Sequence, residues 1–384
     1  MWGRTIVRPS SQCWVSEGMI NGIRSLQTDR QGRSHLTTST FALTHTFKSP
    51  MLQSSRLWNP HLYLLPLALL HGSTQAQVNN ATKEFPTRLE PNGVIQPFWN
   101  RCDLPANAWD SHMHIIDPTR YPLSAEAVYT PSVSGTWDAV ANETAFGMQH
   151  ITVIQPSIYG NDNSILLDAL TGLGPDRARG VVGFAASNIS TATLHEWHAK
   201  GVRGVRLNAV SGGTAVNVTK FADQLQTYAD IVRPLGWVLQ AYVDMEILAE
   251  VEDVISGLNI TMVLDHFSNP DLPDLTPETQ ATFDPYSVKG FESLIRLIKA
   301  GNTYIKFSGA YRIEPSLLGI EVMAKEILKT RTDRTVFASD WPHTRFERLD
   351  IRPFIQTVLD WATEFECVDE VFATNARALW RVDN

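Results

Sequence analysis

Short apolar segments and longer amphipathic segments alternate along the chain from Trp109 to its end. The apolar segments are rich in Val, Ile, Leu and Phe and are apolar on both faces, which is typical of strands in a parallel sheet that is covered on both sides. We predict a strand in each of eight runs: Trp109–His114, His150–Gln155, Gly180–Ala185, Gly204–Asn208, Trp237–Val243, Ile260–Asp265, Thr303–Phe307 and Thr335–Ser339.

The segments between these runs have the apolar spacing of amphipathic helices. This spacing predicts helices over Phe221–Leu235, Leu248–Ile255, Phe291–Ala300 and Leu317–Leu328. Eight strand–helix units predict an α/β fold, a single-domain (β/α)8 barrel of the TIM type. An open doubly wound sheet is the alternative, but such a sheet usually carries a glycine-rich phosphate loop after its first strand, and this sequence has none there.

Nearly every predicted strand ends in polar residues. The carboxyl ends of all eight strands of a β/α barrel meet at one mouth, so these side chains should lie close together. One polar residue after a strand carries little information, whereas seven of eight runs that end this way indicate a functional site. The residues are His112, His114, Gln155, Ser157, Arg206, Asn208, Tyr242, Asp265, His266, Lys306, Ser308, Ser339 and Asp340.

Two histidines, His112 and His114, lie at the end of the first predicted strand. Residues i and i+2 of a strand point to the same face, so both imidazoles should point to one place inside the barrel. Two neutral imidazoles at one place can bind a divalent metal ion or polarise a carbonyl group.

A carboxylate, Asp340, closes the eighth run, and the Trp341-Pro342 sequence after it predicts a turn that leaves His343 nearby. A carboxylate opposite two imidazoles is well placed to accept a proton from water. His266 follows the sixth run, where the adjacent Asp265 can cap or orient it.

Four further side chains are suited to holding a substrate at the mouth. Arg206 and Arg312 are cations that can hold a carboxylate by paired N–H contacts. Ser157 and Tyr242 can donate hydrogen bonds to other substrate oxygens. We therefore predict substrate contacts from these four residues and from His343.

The composition argues against a nucleic-acid partner. The formal net charge is −8, and no Lys/Arg run stands out in the C-terminal three quarters of the chain. Nucleic-acid binding requires a basic face. We expect a small-molecule substrate, no nucleic acid and no membrane anchor, while the oligomeric state stays open.

The N-terminal hundred residues differ from the rest. Residues 1–50 are rich in Ser, Thr, Gln and Arg, which predicts disorder or an over-extended start. Residues 51–77 have Arg56, then an apolar stretch over Leu62–Leu70, then small residues around Ser73–Ala76. That order predicts a secretory signal peptide, with a mitochondrial presequence or disorder as the alternatives. We expect an N-terminal extension over 78–106 and the barrel over 107–384.

Five Asn-X-Ser/Thr triplets, at Asn80, Asn142, Asn188, Asn217 and Asn259, predict glycosylation. Together with the signal-like segment they favour a secreted, extracellular protein over a mitochondrial or cytoplasmic one.

The three cysteines, Cys13, Cys102 and Cys367, form neither a disulfide scaffold nor a Cys-rich metal site. Secretion would favour a disulfide between Cys102 and Cys367, because barrel closure brings the two ends of the barrel sequence together.

Six segments in this order resemble the amidohydrolase superfamily. They are WDSHMHIIDPTRYPL, VIQPSIYGNDNS, GVRGVRLN, VLDHF, IKFSGAYR and FASDWPHT, and the resemblance covers about residues 105–384. The most similar branch contains 2-pyrone-4,6-dicarboxylate lactonase and related sugar-lactone and muconolactone hydrolases. The resemblance implies that Asp340 activates a water molecule that attacks a lactone carbonyl polarised by His112, His114 and His266. It also implies that Ser157, Arg206, Tyr242 and Arg312 hold the substrate.

The metal requirement is a separate question. Metal-dependent members of the superfamily usually add a fifth-strand histidine or a fourth-strand lysine or glutamate, and this chain has Gln240 and Tyr242 in its fifth run. The resemblance implies that no metal is required. If a metal is bound, His112, His114 and Asp340 would hold one Zn²⁺.

Two other functions stay open. A metal-dependent, non-oxidative decarboxylase of an aromatic (phenolic) acid is the alternative enzyme, and the absent fifth-strand histidine counts against it. A catalytically silent glycoprotein that uses the barrel for binding is the third hypothesis, and the presence of His112, His114, His266 and Asp340 counts against it.

Two departures from the lactonase pattern predict charge selectivity. Gly212 and Asn269 stand where the dicarboxylate enzyme has arginines. Loop arginines such as Arg345 or Arg348 could replace these cations. A charge-assisted hydrogen bond contributes about 1.5–3 kcal/mol, and burying an unpaired carboxylate costs more. We expect kcat/KM for 2-pyrone-4,6-dicarboxylate to be about 10²-fold below that for its monocarboxylate and neutral analogues. Steady-state kinetics on the three compounds checks this, and a dicarboxylate that is the best substrate would contradict it.

Overall fold

The computed structural model describes residues 104–210, 216–346 and 349–382. Within them, eight short strands alternate with helices along the chain. The strands are β1 Trp109–Met113, β2 His150–Ile154, β3 Ala178–Val182, β4 Val202–Asn208, β5 Val238–Tyr242, β6 Met262–Leu264, β7 Thr303–Phe307 and β8 Thr335–Phe337. Each lies within or beside a predicted run, and the largest shift is at β3, which begins and ends earlier than predicted.

The strands form one sheet in the order β1 to β8, and each pairs in parallel with the next. The segment after β8 then returns to β1. Asp340 N donates to the carbonyl of His112 at 2.9 Å, and His114 N donates to the carbonyl of Trp341 at 2.8 Å. The eight strands with their alternating helices form a nearly closed barrel, which confirms the predicted (β/α)8 fold.

The helices pack around this barrel through amphipathic faces. Those of nine residues or more are α1 Thr136–Phe146, α2 Ser164–Leu173, α3 Thr191–Ala199, α4 Val218–Val232, α5 Met245–Gly257, α7 Phe291–Ala300, α9 Leu318–Thr330 and α10 Arg352–Glu364. Shorter ones are α6 Pro277–Gln280, α8 Ala310–Ile313 and α11 Asn375–Leu379. The predicted bounds of α7 are correct, and those of α4, α5 and α9 differ by a few residues.

The interior of the barrel is closed below the mouth by an aromatic side chain from the C-terminal segment. Trp380, which is fully buried, packs with Trp109 of β1 and with valines of the inner strand faces. Its indole N–H donates to Ser111 Oγ at 3.2 Å. Lys306 Nζ of β7 lies 5.5 Å from the centre of the indole ring. An apolar layer therefore lies directly below the mouth of the barrel.

Several predictions concern residues outside the described ranges. They include the disordered start, the signal peptide, most of the extension, Gly212, Asn80 and Cys102. Cys367 is buried, and its pairing with Cys102 stays a prediction. Of the remaining predicted glycosylation acceptors, Asn188, Asn217 and Asn259 are exposed and Asn142 is half-buried. No helix in the described ranges has the length and apolar character needed to cross a membrane.

Two buried carboxyl groups lie where β1, α1 and the segment after β8 meet. Asp110 accepts hydrogen bonds from the backbone N–H of His112 at 2.9 Å and of Ser339 at 3.0 Å, and from the Ser339 hydroxyl. Burial raises the pKa of Asp110 to about 6, despite these bonds. Burial, and then the charge of Asp110, raises the pKa of Glu143 on α1 well above its usual value. Glu143 is therefore protonated in the folded protein at pH values where it is ionised in the unfolded chain.

A Glu143→Gln variant should lose this pH dependence. Because the pKa of Glu143 is higher in the folded than in the unfolded protein, the free energy of unfolding of wild type falls as pH rises above the unfolded-state pKa. The slope is at most about 1.4 kcal/mol per pH unit for this one proton. Glutamine keeps the shape and takes up no proton. We expect the unfolding free energy of Glu143→Gln, relative to wild type, to increase from pH 5 to pH 7 in urea denaturation. A constant difference between the two proteins over this range would contradict the assignment.

Candidate active site

Four predicted catalytic residues meet at the mouth of the barrel. His112 and His114 come from the end of β1, His266 from the turn after β6, and Asp340 from the segment after β8. The Oδ1 atom of Asp340 lies 3.8, 3.7 and 3.9 Å from the Nε2 atoms of His112, His114 and His266, respectively. One carboxylate oxygen thus faces three imidazole nitrogens.

The other oxygen of Asp340 is held by two donors. The Tyr311 hydroxyl and Arg312 Nε, both from α8, donate to Oδ2 at 2.7 Å each. Burial alone would raise the pKa of Asp340, but the charge of Arg312 holds it well below its usual value. Asp340 is therefore ionised and fixed in orientation, with Oδ1 directed toward the imidazoles.

Unusual backbone conformations place His266. His266, Phe267, Ser268 and Asn269 all have positive φ angles, of 51°, 52°, 59° and 45°. Non-glycine residues rarely adopt this conformation, and such strain is often concentrated at functional sites. The imidazole lies against Gly309, where a Cβ atom would be 2.7 Å from His266 Nδ1. A glycine at position 309 is needed for this approach.

Asp265 lies beneath the site and does not orient His266 as its position in the sequence suggested. Its Oδ2 accepts hydrogen bonds from Arg206 Nε at 2.9 Å and from Gln240 Nε2 at 3.0 Å. Its Oδ1 lies 3.2 Å from Lys306 Nζ and 3.3 Å from His112 Nδ1. The pKa of Asp265, which burial would raise, is held well below its usual value by Lys306, His112 and Arg206. The partner of His266 is instead Ser308, whose Oγ lies 2.8 Å from Nδ1.

The hydrogen bonds of His112 and His114 can form one continuous chain, in which each group donates to the next. Lys306 Nζ lies 3.3 Å from His112 Nδ1, and His112 Nε2 lies 3.3 Å from His114 Nε2. His114 Nδ1 can only donate to the carbonyl of Ile154, at 2.8 Å. When Lys306 donates to His112, His112 donates to His114, and each buried group then has a partner. When His112 donates to Asp265 instead, both Nε2 lone pairs point into the site.

Burial keeps the imidazoles neutral. It lowers the pKa of His114 and of His266 to about 4, and that of His112 well below its usual value, despite the nearby carboxylates. Burial also lowers the pKa of Lys306 to about 8. Around neutral pH the three imidazoles can therefore act as hydrogen-bond partners or as ligands, and they carry no charge of their own.

The donor set fits a metal ion. One ligand atom from each of His112, His114 and Asp340 lies within 4.8 Å of the others. Two imidazole nitrogens and one carboxylate oxygen match the three protein ligands of a catalytic zinc site with an open position. These residues could hold one Zn²⁺.

A catalytic cavity of about 40 Å³ lies over Asp340. Of the predicted substrate contacts, Ser157, Arg206, Tyr242 and Arg312 line it. His343 is not among its lining residues: it is 5% exposed and its ring packs edge-on against Tyr311, 5.6 Å between ring centres. The turn after Asp340 places His343 against Tyr311, and a substrate contact from His343 stays a prediction.

Residues 109–382 match the sequence model of a family described as Amidohydrolase. The chain belongs to the amidohydrolase family. The match covers the whole barrel and includes His112, His114, His266 and Asp340, which confirms the resemblance seen in the sequence.

Named relatives of this amidohydrolase act on lactones. It is 27% identical to the 4-sulfomuconolactone hydrolase of Hydrogenophaga intermedia over 275 residues, which are 69% of this chain and 84% of the relative. It is 30% identical to the 2-pyrone-4,6-dicarboxylate hydrolase of Comamonas testosteroni over 253 residues, 62% of this chain and 78% of the relative. A crystal structure described as a 2-pyrone-4,6-dicarboxylic acid hydrolase from Pseudomonas putida superposes with a TM-score of 0.58 at 27% identity, covering 72% of this chain and 98% of that one.

The cations of the amidohydrolase site differ from those expected. Arg345 lines the catalytic cavity, and its guanidinium lies 5.3 Å from the centre of the Tyr129 ring. Asn269, which stands at an arginine position of the lactonase pattern, donates to Asp244 at 2.6 Å and does not line the cavity. A third arginine thus lines the cavity, and it is one of the two loop arginines that the sequence offered as replacements for the missing cations.

Sequence reasoning missed two contributors to this site: Tyr311, and Lys306 as a partner of His112. Lys306 was visible as a polar residue inside an apolar strand, and that signal could have identified it. In the sequence, nothing distinguishes Tyr311 from an ordinary packing residue beside Arg312. The hydrogen bond from its hydroxyl to Asp340 depends on the short helix α8, which no periodicity predicted.

Proposed function

We propose that this amidohydrolase opens the ring of a lactone by hydrolysis of its ester bond. The observation that carries the proposal is the geometry of Asp340, which is ionised, fixed through Oδ2, and directed through Oδ1 at three neutral imidazoles. This arrangement suits a proton acceptor beside groups that can polarise a carbonyl. The lactone hydrolases among the relatives support the same reaction class.

In the first step, a water molecule adds to the lactone carbonyl. The water oxygen bonds to the carbonyl carbon, and its proton passes to Asp340 Oδ1. Negative charge develops on the carbonyl oxygen, where the positive charge of Arg312 stabilises it, together with the Nε2–H of His266 when its Nδ1 accepts from Ser308. In the second step, the bond between the carbonyl carbon and the ring oxygen breaks, and the proton on Asp340 passes to that oxygen. The product is an open-chain hydroxy acid.

The low pKa of Asp340 is compatible with this role because the substrate changes it. The charge of Arg312 holds the pKa down. An anionic substrate group beside Arg312 would offset part of that charge and so raise the basicity of Asp340. Binding of the correct substrate would thus prepare the proton acceptor.

The charge balance supports a substrate with a negative group near the reacting ester. The cationic side chains at the site are Arg206, Arg312, Arg345 and the buried Lys306, and the carboxylates are Asp265 and Asp340. Four cations against two carboxylates, with neutral imidazoles, leave an excess of positive charge. We propose a mono-anionic or neutral oxygenated ring as the substrate, with a carboxylate held by Arg312 and Arg345 in the anionic case.

We further propose that hydrolysis does not require a metal. The chain of donors from Lys306 through His112 and His114 to the carbonyl of Ile154 satisfies these buried groups without an ion. A Zn²⁺ held by His112, His114 and Asp340 would polarise the carbonyl and activate water, and this remains compatible with the donor set. The decarboxylase alternative would use a fifth-strand histidine, and β5 supplies Gln240 and Tyr242.

An Asp340→Asn variant tests the proposed proton acceptor. Asparagine keeps the shape and loses the basicity, and loss of a general base typically lowers the rate 10²–10⁴-fold. We expect kcat to fall by at least about 10²-fold for any lactone that wild type hydrolyses. Asp253→Asn, at an exposed position of α5, is the matched control and should behave as wild type. A variant with more than half of wild-type activity would refute the role of Asp340.

Removal of metal tests the second proposal. After dialysis against a chelator, with metal content measured by mass spectrometry, we expect wild-type activity within about twofold of the untreated enzyme. Lys306→Met removes the donor to His112 and leaves both Nε2 lone pairs free to face an ion, so we expect its Zn²⁺ affinity to exceed that of wild type by at least about tenfold. Loss of activity on chelation that added Zn²⁺ restores would show that the reaction depends on the metal.

A further inference from the structure

A second cavity adjoins the catalytic cavity and is much larger. It has a volume of about 270 Å³, and Pro156, Ser157 and Arg206 line both cavities. We call it the distal cavity; its other lining residues are Gln155, Gly160, Asn161, Gly183, Phe184, Leu207, Asn208, Ala209, Phe221, Gln224 and Tyr228. It lies between the carboxyl ends of β2, β3 and β4 and the face of α4 that carries Phe221, Gln224 and Tyr228.

The size of the catalytic cavity limits what it can hold. One water molecule needs about 10–15 Å³ of such space, so 40 Å³ has room for only a few water-sized groups. The attacking water and the reacting ester group fill it. The rest of a lactone must lie elsewhere, and the space continuous with the reacting ester past Ser157 and Arg206 is the distal cavity.

The described lining of the distal cavity carries a single charged side chain. Arg206 is the one charged side chain among its described lining residues, and its Nε already donates to Asp265 at 2.9 Å. Hydrogen-bonding capacity comes from uncharged serine, asparagine and glutamine side chains. A carboxylate here would lose its hydration and would meet only Arg206, whose charge is already shared with Asp265, so its burial would be costly.

One wall of the distal cavity is aromatic and rigid. The Tyr228 hydroxyl donates to the carbonyl of Phe184 at 2.6 Å, and the two rings lie 5.3 Å apart between centres. Phe184 also packs against Trp197, at 6.3 Å. A flat or extended carbon skeleton can lie on this wall while its oxygen atoms meet the polar side chains opposite.

We propose that the distal cavity binds the body of the substrate, and that this body is an uncharged carbon skeleton with hydroxyl or ether oxygens. The inference rests on the proposed lactone hydrolysis and assigns the two ends of the substrate. The anionic group lies beside the reacting ester at Arg312 and Arg345, and the neutral oxygenated body lies between β2–β4 and α4.

Binding of unreactive lactams tests this without turnover. A lactam has an amide in place of the ester and resists hydrolysis. By calorimetry we would compare δ-valerolactam, which is a bare ring, with the polyhydroxylated lactam of gluconic acid and with a 2-pyridone-4,6-dicarboxylate. We expect wild type to bind the polyhydroxylated lactam at least about tenfold more tightly than δ-valerolactam. Equal affinity for these two, or tightest binding of the dicarboxylate, would overturn the proposal.

A pair of variants on α4 localises the effect. Gln224 is half-buried and lines the distal cavity, whereas Gln226 is exposed on the same helix. Gln224→Trp should fill the cavity and reduce the affinity ratio of the two lactams at least about fivefold, while Gln226→Trp should keep the wild-type ratio. An unchanged ratio in Gln224→Trp would place the substrate body elsewhere.

Hydrolysis of the parent lactones by wild type is measured in parallel. If the hydroxylated lactam binds through Gln224 and no lactone is opened, the distal cavity is supported and the proposed reaction fails. If lactones are opened and the lactams do not differ in affinity, the reaction is supported and the role of the distal cavity fails.

Discussion

Closure of the barrel between β1 and the segment after β8 is the constraint on which the site depends. Two backbone hydrogen bonds, from Asp340 to His112 and from His114 to Trp341, join these segments residue by residue. They fix the carboxylate and the two imidazoles as direct neighbours although more than two hundred residues separate them in the chain. Asp110 strengthens the same seam through Ser339 and the backbone of His112. Because backbone pairing sets the geometry, the relative positions of these three side chains depend little on their own rotamer freedom.

Electrostatics then divides the mouth into two levels. Asp265 and Lys306 form a buried pair below, and Asp340 and Arg312 form another above, with the neutral histidines between them. Buried charges are costly unless each is paired and hydrogen-bonded. Here several donors on each carboxylate offset the cost of burial. These hydrogen bonds also fix the orientations of the charged groups. Such preorganised dipoles are what a reaction with developing negative charge requires.

The sequence was sufficient for the fold and for the position of the main polar residues, because both follow from strand periodicity and barrel topology. His112, His114 and Asp340 could be placed together because parallel strands end at a common mouth. The role of Asp265 could not be inferred, since left-handed backbone from His266 onward changes which neighbour each side chain meets. The role of Tyr311 could not be predicted for a related reason, because it lies in a segment without apolar periodicity, where tertiary contacts alone decide the direction of a side chain. For the same reason Arg345 could be named only as one of two candidate loop arginines, together with Arg348.

Trp380 gives the C-terminal segment an influence on the chemistry. The indole seals the barrel from below, so water reaches the buried charges from the side of the mouth. Its ring also faces the ammonium group of Lys306, which in turn contacts His112. The local dielectric constant around His112 and His114 therefore depends on a residue more than 260 positions away in sequence. A fusion or truncation that loosens the C-terminal segment around Trp380 would alter the pKa values of groups in the site while leaving every catalytic side chain in place.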